Sequence, residues 1–269
     1  MTSCNGTVSQ SLPEASTEVA VTTKKEHSAQ PVALKAADAA TILSRKQVPI
    51  LCYHQVREWR PSDSKVSRTY IVPPATFKQQ MKLLADSGYH TITPDELNDY
   101  LQFGKPLPEK PVMLTFDDTD ISQYTEVAPE LKKYNFKGVF FIMTVSINRP
   151  GYMSRDQIAD LSKQGHVIGS HTWDHQNVKK LKTEEEWTRQ IDKPTKQLTE
   201  ITGLPVKYFA YPFGLWDTAS MHKIKSKGFT AAFQLATKRD STEPMYTIRR
   251  IIVPAWSDKT FDRAVKTSF

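Results

Sequence analysis

Short runs of apolar and β-branched residues alternate along this chain with stretches whose apolar positions recur every three or four residues. Val48–Tyr53, Tyr89–Ile92, Val112–Phe116, Gly138–Met143, a run from Val167, Tyr208–Ala210, Ala231–Phe233 and Ile248–Val253 read as strands. Pro49 is tolerated at the start of its strand. Phe77, Met81 and Leu84 fall at i, i+4 and i+7 and predict an amphipathic helix that Gly88 ends. Thr93-Pro94-Asp95-Glu96 combines a capping box with proline at the first helical position, so a helix runs from there to about Gln102. Further helices are expected over 125–134, from the Ser154/Gln157 cap through Leu161, from the Thr183/Glu186 cap, over 218–227 and from Thr260. Pro194 falls inside the Thr183 helix and is expected to kink or split it. No internal repeat is present. Strand–helix units in this number predict an α/β fold with a parallel barrel rather than an open sheet, and ligands at the C-terminal strand ends.

Residues 1–45 lack any such period. They are rich in Ser, Thr, Ala, Gln and Glu and read as a flexible leader or tether with a short helix near Ala33–Leu43, leaving 46–269 as the folded domain. The polar stretch Gln55–Tyr70 reads as a long substrate-facing loop. The leader's four basic and four acidic side chains cancel, so the whole net charge of +7 lies on 46–269. No block of Lys and Arg interleaved with aromatics accompanies it, which argues against nucleic acid as a partner. No apolar run approaches the ~20 residues that span a bilayer. Of the two cysteines, Cys52 lies in the apolar first strand and reads as a buried core thiol. Cys4, in Thr2-Ser3-Cys4-Asn5-Gly6, resembles the lipidated cysteine of a bacterial lipoprotein signal, and a chance cysteine in a flexible terminus fits equally well. A lipidated Cys4 would be the only membrane contact of an exported periplasmic or cell-envelope protein.

Two stretches carry the candidate chemistry. The strand Val112–Phe116 runs straight into Asp117 and Asp118. Adjacent carboxylates at a buried strand end are costly unless a cation or hydrogen bonds compensate them. The strand from Val167 likewise runs into His171 and His175, spaced i, i+4. One carboxylate and two imidazoles make a three-ligand set with room for water, as expected of a catalytic divalent metal. Zinc is the first expectation, with cobalt, nickel or manganese as alternatives. A structural zinc would normally take four protein ligands. The remaining carboxylate is free to act as a base.

Thr115-Phe116-Asp117-Asp118, Ser170-His171-Thr172-x-x-His175 and Ala210-Tyr211-Pro212-Phe213-Gly214 together resemble the motifs of the polysaccharide deacetylase family, also called the NodB-homology or carbohydrate esterase family 4 domain. The resemblance covers about Val48 to Trp256. It implies a distorted (β/α) barrel of about seven parallel strands and metal-dependent removal of acetyl groups from a polysaccharide or oligosaccharide. By the same resemblance Asp117 is the general base, Asp118, His171 and His175 are the metal ligands, and the Phe213 peptide N–H is the oxyanion donor. Tyr211 and Trp256 are candidate sugar contacts.

Three positions depart from the family pattern. Thr119 stands where glycine is usual, and Ala210 stands where an arginine often tethers the base. The late general-acid histidine has no counterpart, because no histidine follows His222. Ile50-Leu51-Cys52-Tyr53-His54 resembles the branch that deacetylates poly-β-1,6-N-acetylglucosamine, in which an early histidine is the acid, and this assigns His54. Arg249 or Arg250 is the candidate replacement guanidinium, and the sequence does not choose between them. Asp174 is a candidate acceptor for orienting a ligand histidine. His27, His90, His166 and His222 have no motif context and read as structural or solvated. Two other functions stay open: an O-acetyl esterase acting on a xylan-like glycan, and a glycan-binding barrel that has lost catalysis.

Overall fold

The expected strands join into one parallel sheet. The computed structural model describes residues 8–10 and 35–269. Among these residues the strands are β1 Ile50–Tyr53, β2 Gln55–Val56, β3 Ile71–Val72, β4 His90–Thr91, β5 Pro111–Asp117, β6 Gly138–Ile142, β7 Val167–Ser170, β8 Tyr208–Ala210, β9 Ala231–Phe233 and β10 Ile251–Ile252. The helices are α1 Ala39–Ser44, α2 Pro74–Asp86, α3 Pro94–Phe103, α4 Ala128–Lys133, α5 Arg155–Lys163, α6 Glu184–Trp187, α7 Lys193–Thr202, α8 Thr218–Ser226 and α9 Asp258–Thr267. Strand order is β10-β1-β5-β6-β7-β8-β9, with β4 also beside β5. The sheet curls into the distorted barrel expected. Its seam is drawn together by a parallel bridge between Phe233 and Ile248, just ahead of β10.

Side chains alternate across each strand, and the two faces bury separate cores. Ile50, Met113, Val139, Phe141, Tyr208 and Phe233 fill the barrel interior. Leu51, Leu114, Phe116, Phe140 and Phe209 pack outward against the helices. Gly169 lets β7 approach the interior closely, since a Cβ there would meet the Phe141 ring at 2.5 Å. Toward the C-terminal ends the interior column turns polar. Cys52 follows Ile50 two residues on, and Thr115 and then Asp117 follow Met113. That change of character along the barrel axis creates the site.

The capping boxes of Thr93, Ser154 and Thr183 all form, each pairing with the glutamate or glutamine three residues on. Gly88 follows α2 with φ 74°, the left-handed turn that a Cβ would disfavour. The split expected at Pro194 falls just ahead of it. A π-helical turn at Thr188–Asp192 leads into α7, where Pro194 occupies the first turn. A wider turn relieves the ring's clash with the carbonyl four residues back.

Residues 35–45, ahead of the domain start expected at residue 46, also pack on the fold. α1 is capped by Asp38, whose Oδ1 accepts the Thr41 N–H at 2.8 Å, and Ile42 is buried in the interior core. Ala37 donates to the Gln102 carbonyl at 2.8 Å, tying the segment to α3. α1, at Ala39–Ser44, is the short helix expected near Ala33–Leu43. Cys4 and His27 lie outside the described residues. The polar stretch Gln55–Tyr70 is also more built than a plain loop. β2 pairs with β3, the Arg57 fork holds Asp63 at 2.8 and 2.9 Å, and the Trp59 indole donates to the Ile71 carbonyl. Among the described residues no helix is long and apolar enough to cross a membrane.

Candidate active site

β5 and β7 end at the same rim and bring three donors together. His171 Nε2 lies 3.5 Å and His175 Nε2 3.6 Å from the same atom, Asp118 Oδ1. The His171 Nδ1 is 2.8 Å from the Ala210 carbonyl, so Nδ1 carries the proton and Nε2 keeps its lone pair toward Asp118. Burial, then the neighbouring His171, pulls the His175 pKa down to about 4 and leaves that ring neutral. For His171 the Asp117 and Asp118 carboxylates outweigh burial and raise the pKa. Asp118 Oδ1 is buried without a hydrogen-bond partner. Two ligands of a tetrahedral ion at about 2.0–2.1 Å stand about 3.3–3.4 Å apart. The spacing, the donor set and the orphaned oxygen all fit a divalent cation.

The backbone is strained around this cluster. Asp118, Thr119, Thr172, His175 and Phe213 all have positive φ, between 60° and 77°. Each such residue costs about 1 kcal/mol or more and is retained at sites that need one geometry. Thr172 and Thr119 are the sharpest cases, because a β-branched side chain rarely adopts this region, and Thr119 stands where glycine is usual. Its hydroxyl accepts the Met143 N–H at 2.8 Å, a contact that glycine could not make. The departure from glycine therefore keeps the turn and adds a tie to β6.

Asp117 points into the barrel below the cluster. Its carboxylate receives both Arg250 terminal nitrogens at 2.7 Å, and Arg250 also donates to Thr115 Oγ1 and to the Gln234 carbonyl. Burial pushes the Asp117 pKa up, but Arg250 and then His171 outweigh it and hold the carboxyl well below the usual range. Arg250 thus stands where the missing arginine of the third motif would act. Arg249 faces elsewhere, toward Gln47, the Ser268 carbonyl and the Phe269 ring. Cys52, expected only as a core thiol, has its Sγ 3.5 Å from Asp117 Oδ2. Its place two residues before His54, on one strand face, was the available signal.

His54, Tyr70, Tyr211, Phe213, Gly214 and Leu235 join these residues around a cavity of about 280 Å³. The His54 ring meets the edge of Tyr70 at 4.9 Å, and Phe213 packs on His175 at 4.3 Å. Tyr70 and Leu235 carried no motif signal. Tyr211, fully buried and packed on Phe209, also lines this cavity. Two expectations need correction. Asp174 is exposed and bonds to neither histidine; the Ala210 carbonyl takes the orienting part, because the strand end of β8 lies beside His171. Trp256 packs against the outer core, away from the cavity lining.

Residues 104–232 match the family model described as polysaccharide deacetylase. The matched segment is a polysaccharide deacetylase domain. The Bacillus subtilis (strain 168) protein YxkH is 28% identical over 225 residues, covering 82% of this chain and 77% of that protein. The poly-β-1,6-N-acetyl-D-glucosamine N-deacetylase of Staphylococcus aureus (strain MRSA252) is 29% identical over 238 residues, 80% of this chain and 81% of that enzyme. In fold, the chain resembles the Streptococcus pyogenes deacetylase PplD in complex with acetate, with a TM-score of 0.73 at 22% identity, over 82% of this chain and 98% of that one. In this deacetylase domain the motif residues of β5, β7 and β8 meet at one rim.

Proposed function

We propose that this deacetylase is a divalent-metal-dependent hydrolase that removes N-acetyl groups from an N-acetylglucosamine-containing polysaccharide. The observation that carries the reading is the convergence of Asp118 Oδ1, His171 Nε2 and His175 Nε2 beside the Arg250-held Asp117. The similarity to the S. aureus N-deacetylase favours a poly-β-1,6-linked substrate.

Asp118, His171 and His175 would hold a divalent ion, which would supply Lewis acidity and, if zinc, a water of pKa about 7. Asp117, kept ionised by Arg250, takes the proton of the attacking water as its oxygen bonds to the acetamide carbon. The Phe213 peptide N–H is the chain's own donor for the resulting oxyanion, a contact worth about 3–4 kcal/mol in comparable sites. The amine leaves only if its nitrogen is protonated. Burial lowers the His54 pKa against the pull of Asp118 and Asp117, so the resting ring is neutral. A His54 ring nitrogen lies within 4.8 Å of an Asp117 oxygen, a gap that one water spans to relay the abstracted proton to His54 and on to the leaving nitrogen. Water has then given its proton to the amine and its oxygen to acetate.

The test is acetate release from N-acetylglucosamine oligomers, from an acetylated xylan and from an aryl acetate. Asp117→Asn should slow all substrates by ~10²–10⁴. His54→Ala should slow the oligomers far more than the aryl acetate, whose phenolate leaves without a proton. Equal losses, or none, would remove His54 from the acid role. Turnover confined to the xylan would establish the esterase instead.

A further inference from the structure

The last backbone pair between β1 and β5 is Tyr53 with Phe116. His54 and Asp117 are the next residue on each strand, so the proposed acid and base stand where that ladder has ended. Beyond it, side chains join the two exits. The fully buried Gln123 amide donates from Nε2 to the His54 carbonyl at 3.0 Å and also to the Asp117 carbonyl. Ser122 Oγ accepts the Val56 N–H at 2.9 Å.

This arrangement holds the amide in one orientation. Turned over, Oε1 would face two carbonyl oxygens. As it stands, Oε1 is buried with no hydrogen-bond partner, an unsatisfied acceptor kept in exchange for two donated bonds. Gln123 also opens a π-helical turn, Gln123–Val127, a wide turn often found at functional sites. The His54 ring has little else to fix it. Its Nδ1 is buried without a partner, and its ring contact is the edge of Tyr70. Its position is set by its backbone, and Gln123 holds that backbone to the one that carries Asp117.

We infer that Gln123, supported by Ser122, is a positioning residue that sets the His54 imidazole against the Asp117 carboxylate. The inference rests on the acid and base roles proposed above. A misplacement of about 1 Å between reacting groups can cost ~10²-fold in rate.

Gln123→Met keeps the length of the side chain and removes both donors. Its kcat on N-acetylglucosamine oligomers should fall ~10–100-fold, with a smaller fall on the aryl acetate and unchanged metal stoichiometry. In a His54→Ala background the same substitution should add no further loss of oligomer-to-ester selectivity. The His54 ring signals in ¹H–¹⁵N spectra should shift while those of His166 stay in place. Unmoved His54 signals in the folded variant, or equal losses on both substrates, would overturn the inference. If His54→Ala alone leaves selectivity unchanged, the acid role falls, and the ring signals then decide the positioning by themselves. Should Gln123→Met not fold, the milder Ser122→Ala must shift the His54 signals, and their constancy would overturn the inference equally.

Discussion

The two terminal nitrogens of Arg250 each lie 2.7 Å from one carboxylate oxygen of Asp117, a fork closed across 133 residues of chain. Both side chains are buried, so each is the other's charge compensation for leaving water. Arg250→Met strands a buried carboxylate and should cost about 3–5 kcal/mol in denaturant melts. Arg250→Lys keeps the charge but not the fork and should cost less while still slowing acetate release. Asp117→Asn combined with Arg250→Met should recover part of the lost stability, because it removes the stranded charge. A double variant no more stable than Arg250→Met would show that the pair is not the source of the loss.

The metal reading makes a separate demand. The purified protein should hold one divalent ion per chain, and a chelator should abolish acetate release and lower Tm together. Adding back zinc, cobalt, nickel or manganese then ranks the ions by recovered rate. His171→Ala should lose the ion, whereas Asp117→Asn should keep it. Full occupancy measured by metal analysis in His171→Ala would refute the ligand assignment.

His166 gives a pH signature away from the site. Its ring is buried at the entry to β7 and its Nδ1 accepts the Gly138 N–H at 3.1 Å. Burial, then Lys137, pulls its pKa from 6.5 to about 4. The unfolded chain therefore takes up this proton first as pH falls. The contribution to stability is whole above pH 6.5, declines down to about pH 4 and is then constant, a span of about 3 kcal/mol. Urea melts should show a shallower acid loss for His166→Gln than for wild type over that window. Parallel curves would count against it.

The packing of residues 35–45 is tested by truncation. A chain beginning at Lys46 lacks Ile42 and the Ala37–Gln102 tie, and should be at least about 2 kcal/mol less stable than one beginning at Lys35. Ile42→Ala should move Tm in the same direction. Equal melting of the two truncated chains would mean that α1 adds nothing.

Local physics made much of this protein legible from sequence. Alternating apolar runs marked the strands, and the Thr93, Ser154 and Thr183 boxes marked helix starts, because capping is decided within four residues. Asp117, Asp118, His171 and His175 could be placed at strand ends for the same reason. Tertiary structure alone chose between Arg249 and Arg250. Adjacent strand residues face opposite sides, and only the register of Leu51 with Ile251 turns Arg250 toward Asp117. The same holds for the Ala210 carbonyl that orients His171 in place of Asp174. Sequence spacing tells which residues share a face of an element. Which face looks inward, and what it meets there, depends on neighbours that the chain supplies a hundred residues away.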